Sequence, residues 1–303
     1  MKRFKNVLTV YDLTPGGDVT LERGIALARR NGARLTLLHV VEPGAGAERF
    51  VAERRRVLSR VASGIDLAID RMDTVVRQGG RAAEILRCAG ERMADLIVVS
   101  DEGGDGLSRL LGTDTVADLM RHAACPVWVV RPNERRHYGQ IVAAVDAGRP
   151  DAQSCPSVHR TLELAASLAE REGAALDVLY AWDFQGRERE TLQSELPPGG
   201  HDAMVRAARF RHLERVAEVT RAVLGDPVPG VPVVGRGTPE AVITRHVQVR
   251  RADLLVMGGS AGAPLFDAFT GRSALRLLHG IGCSVLISRP IPLAAAADRR
   301  LAS

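Results

Sequence analysis

The segment Gly258-Gly259-Ser260-Ala261-Gly262 follows an apolar run and has the form Gly-x-Ser-x-Gly. In a hydrolase that spacing puts a serine on a tight strand-to-helix turn, with its hydroxyl exposed as a nucleophile. The surrounding sequence argues against that chemistry. Ala263-Pro264 follows where a helix should begin at once, and the candidate partners Asp267 and His279 stand close by on a loop and a helix. The chain carries an earlier copy of this region, and there the position corresponding to Ser260 is Glu102. Serine hydrolysis at Ser260 is therefore a remote alternative. Dinucleotide chemistry lacks its Gly-x-Gly-x-x-Gly, since Tyr11-Asp12-Leu13-Thr14-Pro15-Gly16-Gly17 and Asp146-Ala147-Gly148-Arg149-Pro150 stand in the two places that would carry it. Cys88, Cys125, Cys155 and Cys283 form no Cys-x-x-Cys and no paired histidines accompany them, so no metal site is expected and the thiols read as free and buried. His39, inside an apolar run, reads as a core histidine. Asp12 and Asp146 each close an apolar run, and an aspartate there caps a turn or helix as readily as it holds a ligand.

These residues recur because the chain repeats itself. Val7-Leu8-Thr9-Val10-Tyr11-Asp12 corresponds to Val142-Ala143-Ala144-Val145-Asp146. Leu35-Thr36-Leu37-Leu38-His39-Val40 corresponds to Leu176-Asp177-Val178-Leu179-Tyr180-Ala181. Ala94-Asp95-Leu96-Ile97-Val98-Val99 corresponds to Ala252-Asp253-Leu254-Leu255-Val256-Met257, and Cys125-Pro126-Val127-Trp128-Val129-Val130 to Cys283-Ser284-Val285-Leu286-Ile287-Ser288. Between the apolar runs lie stretches of helical period, such as Leu21, Ile25 and Ala28, or Leu162, Ala165 and Ala169. Each copy is expected to run β-α-β-α-β-α-β-α-β. Near-continuous apolar strands separated by helices predict a parallel, doubly wound α/β sheet covered on both faces. The polar segment 131–139 is the expected linker, giving domains at 1–132 and 139–290, and residues 291–303 read as a frayed tail. Residues 193–201, with Pro197-Pro198-Gly199-Gly200, read as a loop.

The length of 303 residues suits two domains of roughly 150 residues each. A hydrophobic fraction of 46% and a charged fraction of 25% are those of a globular protein, whereas aromatics at 4% leave too little for a base-stacking surface. The net charge of +5 invites anionic partners weakly, but runs such as Arg54-Arg55-Arg56 read as a solvated helix face, and no specific nucleic-acid partner is expected. The apolar run after Met1-Lys2-Arg3 is too short for a signal segment or a membrane span, which favours the cytoplasm.

The strand-one aspartate, Leu38-His39-Val40, Ala94-Asp95-Leu96-Ile97-Val98 and the closing His122-Ala123-Ala124-Cys125-Pro126-Val127-Trp128-Val129-Val130 together resemble the universal stress protein family. The resemblance spans nearly all of residues 4–290 and implies two tandem five-stranded domains of the adenine nucleotide alpha hydrolase-like fold. It further implies that they pack as an internal pseudo-dimer, residues 127–130 beside residues 285–288, with homodimers also open to the family. What it implies for function is stress adaptation through binding of ATP, AMP or another adenine nucleotide, with magnesium accompanying ATP. No catalytic residue is expected, and slow ATP hydrolysis is the upper limit. A degenerate structural or interaction protein, or a carrier of another small ligand, is the alternative.

Family members that bind ATP carry Gly-x-x-Gly, nine residues, then Gly-Ser or Gly-Thr. Such glycines admit phosphate oxygens to backbone amides at a helix start. Counted from Gly258, the second copy puts Ala261 and Gly271 at those positions, with Arg272 in place of the hydroxyl residue and Ser273 next to it. Gly259 and Gly262 complete its expected nucleotide set, together with Asp146 and Ala181 at the adenine end by resemblance. In the first copy only eight residues separate Gly103 from Gly112, and Asp101, Glu102 and Asp105 repel a phosphate chain. Asp12, Val40, Gly103, Gly112 and Thr113 are accordingly its weaker set.

Overall fold

Leu96-Ile97-Val98-Val99 offers no polar face, so its lowest-energy placement is a strand covered on both sides. In the computed structural model all four side chains are fully buried, each burial contributing roughly 1.5–3 kcal/mol. The structure describes residues 4–44, 47–68, 71–100, 115–131, 137–185, 188, 190–191, 199–258 and 280–288. These divide into two compact units, the first reaching residue 131 and including residues 284–287, the second running from residue 137 to residue 283 and including Ser288.

The first unit comprises β1 (Asn6–Val10), α1 (Pro15–Asn31), β2 (Arg34–Val41), α2 (Ala47–Ser63), β3 (Met72–Gln78), α3 (Arg81–Glu91), β4 (Leu96–Ser100), α4 (Thr115–His122) and β5 (Val127–Val130). Its strands are parallel in the order β3-β2-β1-β4-β5, with Val7 opposite both Leu35 and Leu96. The order reverses between β1 and β4, which opens a crevice at their carboxyl ends. The last described strand, β10 (Ser284–Ser288), lies antiparallel beside β5, with Leu286 opposite Trp128. This is the pairing of closing strands expected from the tandem arrangement. The Arg131 amide donates to Ser284 Oγ at 3.0 Å at the end of that pairing.

The second unit comprises β6 (Gln140–Ala144), α5 (Pro156–Glu172), β7 (Ala175–Trp182), α6 (Gly200–Leu224), β8 (Val231–Arg236), α7 (Pro239–Arg250) and β9 (Leu254–Gly258). Its parallel order, β9-β6-β7-β8, repeats that of the first unit. The expected helix before β10 falls in residues 259–279, outside the described residues. His201, read as loop, already belongs to α6, which Gly199 begins at a left-handed φ of 79°.

Local signals account for the helix limits. Thr14 caps α1 by accepting the Gly17 amide at 3.1 Å, and Thr238 caps α7 in the same way. Gly32 and Gly173 end α1 and α5 in the left-handed conformation that closes a helix. The repeated Ala-Asp-Leu motif also has a mechanical role. Asp95 accepts the amides of Lys5 and Asn6 at 2.7 and 3.1 Å, and Asp253 accepts those of Gly139 and Gln140 at 2.7 and 3.0 Å. Each carboxylate ties the entry of its unit's first strand to the entry of the fourth, which fixes the register across the switch point. Tyr138, read as linker, is instead fully buried, so the second unit is anchored before its first strand begins. All four cysteines are free and buried.

Candidate functional site

The carboxyl edge of the second unit is built around Asp146. Val145 still donates its amide to Leu179 of β7 at 3.0 Å, so the chain leaves the sheet only at Asp146. Its carboxylate then accepts the Gly148 amide at 3.2 Å, closing a short aspartate turn. Burial pushes this carboxyl above its ordinary range, against the lowering pull of the Gly148 amide and of Arg149. Arg149 does not pair with it, because its guanidinium is engaged by Asp151 at 2.9 and 3.2 Å. Arg215 of α6 clasps the same turn from outside, donating to the carbonyls of Ala147 and Arg149 at 3.2 and 3.3 Å.

Tyr180 of β7 stands beside this turn. A Cβ on Gly148 would lie 2.0 Å from the Tyr180 hydroxyl and 3.5 Å from Asp146 Oδ1, so a side chain there would have to displace the phenol, and the two polar groups are neighbours. Burial, and then the charge of Asp146, push the phenol up to about 12, which keeps its proton on at physiological pH. The Tyr180 and Trp182 rings pack against His212 of α6, at 5.6 and 4.7 Å between centroids. Phe184 meets Trp182 edge-on at 5.2 Å, so β7 and α6 hold the site's flank with an aromatic cluster.

Asp146 and Gly258 line one cleft with Arg149, Cys155, Ser157 and Thr161. Its free volume is about 30 Å³. Gly258, at the end of β9, has a reason to be glycine that concerns helix packing: a Cβ there would lie 2.5 Å from Ser157 Oγ of α5. Thr161 completes a hydroxyl floor, its Oγ1 2.7 Å from Ser288 Oγ. Ala181 sits on β7 opposite Gly235 and outside the cleft lining. Gly259, Ser260, Ala261, Gly262, Gly271, Arg272 and Ser273 lie outside the described residues.

The first unit has the same plan with a different electrostatic state. Tyr11 donates its amide to Leu38 at 2.8 Å, as Val145 does to Leu179, and the chain leaves the sheet at Asp12. Here, however, Arg81 at the start of α3 grips the carboxylate with both guanidinium nitrogens, each at 2.6 Å. Val40 is a buried core residue opposite Arg77. His39 is 8% exposed, and burial lowers its pKa, so the neutral ring donates from Nδ1 to the Tyr11 carbonyl at 2.8 Å. Gly103, Gly112 and Thr113 lie outside the described residues. Arg81, Gly148, Tyr180 and Arg215 were not singled out by the sequence. The available signal was the repeat itself, which sets Tyr180 against His39, and Gly79-Gly80-Arg81 against Gly237-Thr238-Pro239.

The family model described as the universal stress protein family matches residues 3–131 and again residues 137–289. The chain is similar to Universal stress protein E from Photorhabdus laumondii, at 24% identity covering 96% of each chain. Among solved structures it is similar to a functionally unknown protein from Pseudomonas aeruginosa, at TM-score 0.66 and 20% identity covering 99% and 98% of the two chains. A universal stress protein from Archaeoglobus fulgidus matches at TM-score 0.64 and 14% identity, covering 94% and 96%. At these identities the solved structures bear on the fold alone.

Proposed function

The chain belongs to the universal stress protein family in both of its tandem repeats, and on that footing we propose that its second unit is an adenine-nucleotide-responsive binding module serving stress adaptation. The observation that carries this reading is Asp146, a half-buried carboxylate at the sheet's carboxyl edge whose nearest guanidinium is turned to Asp151. Beside it stands the protonated phenol of Tyr180. An aminopurine edge offers an amino donor next to a ring-nitrogen acceptor, and a carboxylate beside a phenol is the complementary acceptor and donor. Partial burial strengthens both bonds. Open parallel sheets hold ligands at this edge, where the strand order reverses.

Under this reading Ala181 borders the base. Gly258, Gly259, Ala261, Gly262, Gly271, Arg272 and Ser273 serve the phosphates through backbone amides, a guanidinium and a hydroxyl, with magnesium accompanying ATP. The module binds without a catalytic residue of its own. Four buried free thiols support a reducing, cytoplasmic setting, and the two repeats are taken as domains 1–132 and 139–290. A second reading, a carrier of a smaller polar ligand, draws on the hydroxyl floor of Ser157, Thr161 and Ser288 and on the small cleft volume.

Thermal unfolding with ATP, ADP and AMP, each with and without magnesium, tests the proposal. A ligand at a hundredfold excess over its Kd stabilises by about 2.7 kcal/mol, a rise of several degrees for a unit of this size. The expected result is a saturable rise that Asp146→Asn removes. No rise at millimolar nucleotide contradicts it, and a rise with small polar anions alone favours the second reading.

A further inference from the structure

The two units differ at one position that decides what their strand-end aspartates can do. Gly79 donates its amide to Val41 at 3.1 Å at the end of β3, and Gly237 donates its amide to Trp182 at 2.8 Å at the end of β8. These two bonds are the same joint in each copy, so the residue two places on, the first of the following helix, is equivalent: Arg81 in α3 and Pro239 in α7. A proline at a helix start has no side-chain donor, whereas arginine there carries a planar fork that matches a carboxylate. In the first unit that fork is closed on Asp12, with one guanidinium nitrogen on each carboxylate oxygen at 2.6 Å. The pair is partly shielded from solvent, at 27% exposure for Arg81 and 12% for Asp12, so it is not screened away as an open surface pair would be.

We propose that Arg81 is the specificity determinant that withholds the first unit's adenine position, so that of the two duplicated aspartates only Asp146 reads a base. The inference rests on the preceding reading of what the strand-end aspartate does, but it concerns a residue and a contact which that reading does not use. The physical content is competition. A base amino group must displace a charge-assisted, two-point contact to reach Asp12, and a neutral donor makes the weaker bond. At Asp146 the competing groups among the described residues are the backbone amides of Gly148 and Arg149 and a guanidinium already held by Asp151, with no two-point charged contact on the carboxylate. Arg81 and Asp12 are 69 residues apart in sequence, and the strand order brings them together.

Adenosine is the probe that isolates this contact, because it has no phosphate to be repelled by the acidic sequence at Asp101, Glu102 and Asp105. Calorimetric titration of the full chain compares wild type, Asp146→Asn, Arg81→Ala in the Asp146→Asn background, and that double variant with Asp12→Asn added. Releasing Asp12 is expected to tighten adenosine binding by at least about tenfold relative to Asp146→Asn alone, the equivalent of one hydrogen bond to a charged group. Adding Asp12→Asn should abolish that gain. Arg81→Pro, which installs the residue of the second copy, should act like Arg81→Ala and guards against a fault specific to one variant. No gain from either substitution in chains that unfold like the parent overturns the proposal, as does a gain that survives Asp12→Asn. The preceding reading is judged separately by wild type against Asp146→Asn, so the two can fail independently.

Discussion

Asp146 is kept in an environment that does not favour its charge. Burial raises its pKa from the ordinary value of 3.8, so the folded state holds this proton more tightly than the unfolded chain does. Its contribution is therefore most favourable at low pH and is lost as pH rises through the folded value, where the buried group must ionise. Asparagine keeps an oxygen to accept the Gly148 amide and never ionises. Asp146→Asn should thus melt at a higher temperature than wild type at pH 7, with the gap narrowing towards pH 4. Calorimetric melts across that range check this, and a variant less stable than wild type at pH 7 would contradict it. A carboxylate retained at such a cost is what a ligand-reading residue looks like. Asp12, neutralised by Arg81, is better read as a brace between β1 and α3.

At the scale of elements, the strands form because their apolar runs leave no polar face, and their register is set by two carboxylates at the opposite edge. Asp95→Ala and Asp253→Ala each strand two backbone amides at the start of a unit's first strand. Each should destabilise its own unit by about 2 kcal/mol, read as a fall in the urea midpoint of that unit's transition. Equal loss in both units from one substitution would contradict the assignment. The Ala-Asp-Leu repeat and the strands were visible in the sequence. What Asp95 and Asp253 hold was not visible, because their partners lie about ninety and a hundred and fourteen residues away in the chain. Arg81 escaped for the same reason. Its partner is set by strand order, and local sequence carries no trace of a contact between β1 and the start of α3. Gly258 was legible as a glycine that something approaches closely, but the neighbour in the structure is Ser157 of α5.

Across the whole molecule, duplication has produced two units of one plan that no longer share one chemistry. The first retains the fuller family motif at its closing strand yet has its strand-end carboxylate paired and an acid-rich sequence after β4. The second has lost family residue types but keeps an open carboxylate, a phenol held protonated beside it and an aromatic flank on α6. The duplication was readable from four matched segments in the same order, and the universal stress protein resemblance from the first copy's Leu38-His39-Val40, Ala94-Asp95-Leu96 and His122 to Val130 motifs. The different pairing of the two strand-end aspartates was not, since it depends on Arg81 and Pro239 occupying equivalent helix starts. With Asp12 held by Arg81, and Asp146 unpaired by any arginine among the described residues, the chain is proposed to carry a single adenine-nucleotide site, in the second unit. Equilibrium dialysis of the full chain against labelled AMP decides this: saturation at one nucleotide per chain, lost in Asp146→Asn and retained in Asp12→Asn, is expected, whereas no binding, or binding that Asp12→Asn rather than Asp146→Asn removes, rules it out.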